Sequence, residues 1–232
     1  MLTGQFTLPA GIDLAATFVF GLTGGLAALK RGYDLIGLFA MVFVTAVGGG
    51  LIRDGIFIQQ GPPAVTTHPG YIQVVLLACL GSIFFRGGHV IRFNKLIAWL
   101  DALGLGAYAV VGVQKSLNAG LTEGASILVG VINAVGGGLL RDVLVRDEPL
   151  LFKPGQFYVL AAFLGCLLFS ALAVQFKMEA TKAAGISIAT TFIIRVLSIR
   201  FNWKSSSLWQ ERPAIPSAKP NEPAVTEKKP DQ

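Results

Sequence analysis

AVGGGLIRDGIF, residues 46–57, returns as AVGGGLLRDVLV at residues 134–145. Gly48 and Gly136 are 88 residues apart, and that offset holds without a gap from Asp13 and Asp101 onward, through Gly24 and Gly112, Leu29 and Leu117, and Gly32 and Gly120. An internal repeat is read before anything else, because each copy must be a unit of the same architecture. Each copy sets three glycines inside an apolar run and follows them, three residues after the last, with Arg-Asp. Glycine weakens a helix, and ionised side chains are costly in hydrocarbon. The same two expensive features at the same spacing therefore point to a shared task.

The surrounding chain is apolar enough to say where that task is carried out. Of 232 residues, 53% are hydrophobic and 14% charged, and the mean hydropathy is +0.64. This composition is that of an integral membrane protein rather than a soluble domain. The net charge of +6 sits largely between apolar segments and in a polar end, where it serves topology and contact with anionic lipid rather than nucleic acid. Cys79 and Cys166 lie inside apolar segments and behave as small hydrophobes, with no metal-ligand spacing around them. The first lysine is Lys30, so the N-terminus lacks the basic region of a cleaved signal and its first apolar segment is expected to stay as a span. After Trp203 the sequence turns rich in Pro, Ser, Lys and Glu, and residues 203–232 are expected to form a disordered cytoplasmic tail.

A bilayer core takes roughly 20 apolar residues per helix. Seven segments qualify, at about 11–29, 33–58, 70–86, 96–115, 121–146, 156–175 and 183–201, so the fold class is an all-α membrane protein with a transmembrane domain over residues 1–202. Lys115, Lys177 and Lys182 fall on the side of the N-terminus. Lys30, Arg31, Arg86, Arg92, Lys95, Arg146, Lys153, Arg200 and Lys204 fall on the other. That bias puts the N-terminus outside and the C-terminus in the cytoplasm. A repeat of three spans enters the membrane from opposite faces in its two copies, so residues 11–87 and 96–175 are expected to be inverted repeats, with a seventh helix at 183–201 unpaired. Inverted triplets of this kind place a pathway at the repeat interface.

Gly48, Gly49 and Gly50 in the second span, and Gly136, Gly137 and Gly138 in the fifth, then both fall at about the bilayer midplane. Two readings are open. The glycines allow two backbones to approach closely, or they let the helices break or kink and expose carbonyls to an ion beside a cavity. Arg53 lies about 6 Å along the helix from Gly49 at 1.5 Å per residue, with Arg141 its mirror. Neighbouring helical positions point about 100° apart, so Arg53 and Asp54, like Arg141 and Asp142, are expected to find separate partners. Asp13 and Asp101 are the candidates, either as braces between helices or, together with the arginines, as groups bordering the pathway. Thr45 and Asn133, at equivalent positions one turn before the triplets, are candidate pore-lining residues or interhelical hydrogen-bonding groups. Arg195, Trp99, Tyr158, Gln114, Lys115, His68 and His89 are read as interfacial side chains. No nucleophile–base pair, metalloprotease motif or phosphate loop appears, so an enzyme is not expected.

On the doubled GGGxxRD pattern, Gly48 to Asp54 and Gly136 to Asp142, with Pro149 after the second copy, the chain resembles the bacterial branch of the trimeric intracellular cation channel family, also catalogued as carrying a glycine-transporter-like domain. The first copy departs in having Gly55 where the second has Val143, and a GPP loop after it. The resemblance implies a homotrimer in a bacterial plasma (inner) membrane, one pore per protomer, kinks at both glycine triplets, and passive permeation of K⁺ or Na⁺ without a cofactor. An arginine in each half of a cation pathway must be neutralised, by Asp13, Asp101, Asp54 or Asp142. A secondary transporter of a small solute such as glycine, and a structural or signalling membrane protein, are the alternatives from other classes.

Overall fold

The computed structural model describes residues 8–85, 90–153, 157–201 and 203. The expected tail beyond Trp203 lies outside the described residues, as do the connections at 86–89 and 154–156. Among the described residues all regular structure is helical: α1 (Ala10–Arg31), α2 (Leu35–Ile52), α3 (Ala64–Thr67), α4 (Pro69–Phe84), α5 (Val90–Asn118), α6 (Glu123–Leu144), α7 (Tyr158–Ser170) and α8 (Ala180–Phe201). Two π-helical turns, Arg53–Ile58 and Ala171–Gln175, prolong α2 and α7.

The repeat is visible first in how the helices stop and start. Gly32 and Gly120, equivalent in the two copies, both take a left-handed conformation, φ 71° and 84°, which ends α1 and α5 and which glycine adopts without penalty. Two residues on, the next helix is capped in both copies. The Asp34 carboxylate accepts from the Gly37 N–H at 2.8 Å, and the Thr122 hydroxyl accepts from the Ala125 N–H at 3.4 Å. Such caps satisfy backbone donors that a helix start leaves open.

Among the described residues six helices are long and apolar enough to cross a membrane: Ala10–Arg31, Leu35–Ile58, Asn94–Asn118, Glu123–Leu144, Tyr158–Gln175 and Ala180–Phe201. The segment expected as a span over 70–86 is α4, apolar but only 16 residues long. Pro69 fixes its first turn, and the chain just before it is taken up by the separate short helix α3 after Pro62 and Pro63. At the core of the bundle α1 packs on α2, α4 and α5, α5 on α6, and α2 on α6, while α8 lies against α5 and α7. Phe20 and Tyr108, equivalent in the repeat and both buried, stack on each other with ring centres 5.0 Å apart. Their contact joins the two copies at the centre of the molecule and continues into a buried layer of Leu105, Val110, Val135 and Phe169.

Candidate functional site

The glycine triplets meet each other. Both α2 and α6 run as unbroken α-helix through Gly48–Gly50 and Gly136–Gly138, and of the two readings open from the sequence, the close approach of two backbones is the one that describes their contacts. A β-carbon on Gly49 would overlap the Asn133 carbonyl oxygen, and one on Gly137 would overlap that of Thr45. A β-carbon on Gly136 would come within 3.0 Å of the Gly49 α-carbon. Packing of this closeness requires glycine on both helices, and it keeps each main chain hydrogen-bonded inside its own helix. The third glycines differ: a β-carbon on Gly50 would have only Arg53 Nη2 near it, at 3.7 Å, whereas one on Gly138 would meet the Tyr158 hydroxyl at 2.7 Å, then Asp101 Oδ1 at 3.5 Å and Arg141 Nη2 at 3.8 Å. The first triplet thus divides its labour between a helix crossing and room for a guanidinium.

Both arginines are buried, at 2% and 3% exposure, where an unpaired charge would be prohibitive. Arg141 donates from Nη1 to Asp101 Oδ1 at 2.9 Å and to the Thr23 hydroxyl at 3.0 Å, and from Nε to Asp142 Oδ1 at 2.9 Å. Arg53 donates from Nε to Asp54 Oδ1 at 2.6 Å and from Nη1 to Asn133 Oδ1 at 3.3 Å. The expectation that Arg and Asp at adjacent positions cannot pair is therefore overturned at both sites. The arginine side chain is long enough to fold back over the following residue, which the angle between the two Cα–Cβ bonds does not reveal. Each aspartate then uses its second oxygen outward: Asp54 Oδ2 accepts from the Ala64 N–H and Asp142 Oδ2 from the Leu150 N–H, both at 3.1 Å. One carboxylate thereby ties a buried guanidinium to the loop that follows.

Asp101 sits with Arg141, but Asp13 does not sit with Arg53. Asp13 Oδ2 is 2.6 Å from Lys115 Nζ and accepts from the Tyr71 hydroxyl at 2.5 Å. Lys115, Arg195 and Tyr158 also depart from their interfacial reading: Lys115 is half-drawn into this cluster, whereas Arg195 and Tyr158 are buried at 1% and 4% exposure. Asn133 bridges helices, accepting from Arg53 and donating from Nδ2 to the Tyr108 carbonyl at 2.6 Å. Thr45 packs against Gly24.

The carboxylates and several of their partners line cavities at opposite ends of α1. One, of about 720 Å³, contains Asp13, Asp54, Tyr71, Gln114 and Lys115. The other, of about 260 Å³, contains Asp101, Arg141, Asp142, Arg195, Lys30 and Arg31. Thr45 and Asn133 line neither of them. Between them lies the α2–α6 glycine crossing, held on one flank by Tyr108, whose hydroxyl donates to the Ala46 carbonyl and shares a hydrogen bond with Thr17 Oγ1 at 2.9 Å. Sequence reading missed Tyr71 and Tyr108. Tyr108 carries one available signal, a tyrosine standing where the first copy has Phe20. Tyr71 carries none. Among the described residues no group of three or more His, Cys, Asp or Glu is placed to hold a metal ion.

Comparison with known proteins agrees with this doubling. The family described as Glycine transporter matches residues 11–87 and again 98–174. The UPF0126 inner membrane protein YadS of Escherichia coli K12 is 32% identical over 83% of this chain and 92% of its own. The trimeric intracellular cation channel orthologue from Rhodobacter sphaeroides has a TM-score of 0.77 at 31% identity, covering 83% of this chain and 97% of that one. A TRIC cation channel solved to explain conductance gives 0.74 at 28% identity, covering 89% and 100%. With one family unit matched twice and homology running through most of its length, the chain belongs to the glycine-transporter family of multi-pass membrane proteins and is a relative, in sequence and in fold, of the trimeric intracellular cation channels.

Proposed function

We propose that the chain is a passive channel for monovalent cations, K⁺ foremost, and that ions pass from one cavity to the other across the α2–α6 glycine crossing. The observation that carries this reading is the pairing of both buried arginines. A pathway flanked by two unpaired guanidinium groups would repel cations, whereas Arg53 pairs with Asp54 and Arg141 with Asp101 and Asp142, which leaves neither buried arginine uncompensated. With Gly49 and Gly137 in backbone contact the crossing is shut, so conduction requires α2 and α6 to part. Channel relatives among the solved structures support the same reading. It includes α4 as a short third span, two inverted three-helix repeats with α8 outside them, an outward N-terminus, and a homotrimer in the inner membrane with one pathway per protomer.

Purified protein in a planar bilayer under a KCl gradient tests it. Unitary currents reversing near the K⁺ equilibrium potential are the expected result. Electrical silence together with saturable uptake of labelled glycine would replace the channel with a secondary transporter.

A further inference from the structure

Thr45 and Asn133 stand at equivalent places one turn before the two glycine triplets, and the fold treats them differently. Asn133 is occupied at both ends of its amide, accepting from Arg53 Nη1 at 3.3 Å and donating to the Tyr108 carbonyl at 2.6 Å. Thr45 is fully buried, and its hydroxyl finds no hydrogen-bond partner in the protein. A threonine inside a helix ordinarily donates to the carbonyl three or four residues back, as Thr17 does to Asp13, Thr23 to Phe20 and Thr191 to Ser187, each at 2.8 Å. For Thr45 that carbonyl is Met41, and the bond is not made. Oγ1 and the Met41 oxygen both stand against the bare α-carbon of Gly24, each 2.6 Å from where its β-carbon would be. Other buried hydroxyls without a partner belong to Ser116 on α5, Tyr158 on α7 and Ser187 on α8. Thr45 is the one among them whose own main chain forms the crossing, with its carbonyl against Gly137. It lines neither cavity, so the water that fills them does not supply the missing partner.

We infer that the Thr45 hydroxyl is a ligand of the permeant cation at the midpoint of the pathway, and that it stands unbonded in the shut molecule because its partner is the ion. When α2 and α6 part, the space opens between Gly137 and the Thr45 main chain, beside this hydroxyl. A monovalent cation entering there leaves the cavity water behind, and oxygen atoms of the chain must replace part of its hydration shell. On one flank of the crossing the polar groups are already engaged, the Tyr108 hydroxyl with the Ala46 carbonyl and Thr17, and Asn133 with Arg53. On the other flank Phe20 stands where the second copy has Tyr108, with a ring carbon 3.6 Å from where a Gly137 β-carbon would be, and its ring has no polar atom to offer. The Thr45 oxygen there accepts a cation without first giving up a bond. Leaving a buried hydroxyl unpaired is costly, and the passing ion is what that cost serves.

This inference rests on the channel reading, and its test separates the two. Unitary conductance in KCl and the K⁺-to-Na⁺ permeability ratio from bi-ionic reversal potentials are measured for wild type, Thr45→Val, Thr45→Ser, Thr45→Ala and Ser187→Ala, with detergent melting temperatures alongside. Loss of one polar contact of ordinary net strength shifts an equilibrium by about fivefold. Conductance is therefore expected to fall by about fivefold in Thr45→Val and Thr45→Ala, with a shifted permeability ratio, and to stay near the wild-type value in Thr45→Ser. Thr45→Val should melt no lower than wild type, because the hydroxyl it removes holds no bond in the protein. Ser187→Ala, which removes another such hydroxyl on α8, should leave both current readings unchanged, and a loss there of the same size overturns the inference. Wild-type conductance and permeability ratio in Thr45→Val overturn it and leave the channel reading standing. An equal loss in Thr45→Ser and Thr45→Ala also overturns it, since packing and not the hydroxyl would then be responsible. If Thr45→Val does not accumulate, the comparison of Thr45→Ser with Thr45→Ala decides alone. Wild-type protein that passes no unitary current removes the channel reading and this inference with it.

Discussion

Within a single glycine triplet the structure assigns different fates to the same substitution. A β-carbon on Gly50 would have its nearest neighbour at 3.7 Å, the end of the Arg53 side chain, an ordinary van der Waals approach. Gly50→Ala therefore keeps the gain of replacing glycine in a helix, about 1 kcal/mol. On Gly136 the new carbon would meet the Gly49 α-carbon at 3.0 Å, short of the roughly 3.5 Å at which carbon atoms rest, so the backbones must part by about half an ångström. On Gly49 it would overlap the Asn133 carbonyl oxygen, which is main chain and cannot rotate away. Overpacking of that kind costs roughly 1 to 3 kcal/mol, which offsets the propensity gain and leaves Gly49→Ala up to about 2 kcal/mol less stable than wild type. The expected order of thermal stability in detergent, read by loss of the folded size-exclusion peak after heating, is Gly50→Ala above Gly136→Ala above Gly49→Ala. Gly137→Ala, against the Thr45 carbonyl, should fall beside Gly49→Ala. If Gly50→Ala melts as low as Gly49→Ala, the triplet does not act through the α2–α6 contact, and the packing argument is refuted.

Arg141→Gln strands Asp101 and Asp142 at once and should cost on the order of 3 to 5 kcal/mol, whereas Arg53→Gln should cost less, because Asp13 is already held by Lys115 and Tyr71. Melting curves of the two variants check the order, and reversal potentials of the surviving channels check whether either arginine also influences ion preference. Tyr108→Phe removes the hydroxyl from the Ala46 carbonyl while keeping the Phe20 stack, for a loss of about 0.5 to 1.5 kcal/mol by the same assay; an unchanged melting temperature would mean the hydroxyl does not brace the crossing. A reporter fused after Gln232 is expected in the cytoplasm and one inserted at Gly61 outside, and reporters on one side would end the inverted-repeat arrangement.

How far the sequence reaches depends on the distance over which each feature acts. Helix ends at Gly32 and Gly120, and starts at Asp34 and Thr122, are local chemistry repeated at one spacing, and they lie beside the bounds that hydropathy alone gives for the second and fifth spans, 33–58 and 121–146. The importance of Gly49 and Gly137 is equally legible, but not its form. Close packing and a broken helix leave the same three letters in the chain, and only the position of the Thr45 and Asn133 carbonyls distinguishes them. Partnerships between side chains were the least accessible. Arg53 turning back onto Asp54 depends on rotamers, and Asp13 choosing Lys115 over Arg53 depends on how α1, α4 and α5 converge. Arg195 looked like a residue reaching for the membrane surface because nothing in α8 itself records that its inner face closes over Tyr158.

The glycine crossing also constrains how the molecule is made. Arg53 and Asn133, which join α2 to α6 beside that crossing, are separated by 80 residues, so α2 is inserted long before the helix that completes it. Until α6 arrives, the growing chain holds a notch of bare backbone at the level of the triplet, too shallow for a bulky side chain and shaped for another glycine-lined helix. A fragment ending after the first copy would keep that notch permanently, and the surface best suited to fill it would be the same notch on a sister fragment. The second copy supplies within one polypeptide what two half-length chains would otherwise have to supply to each other.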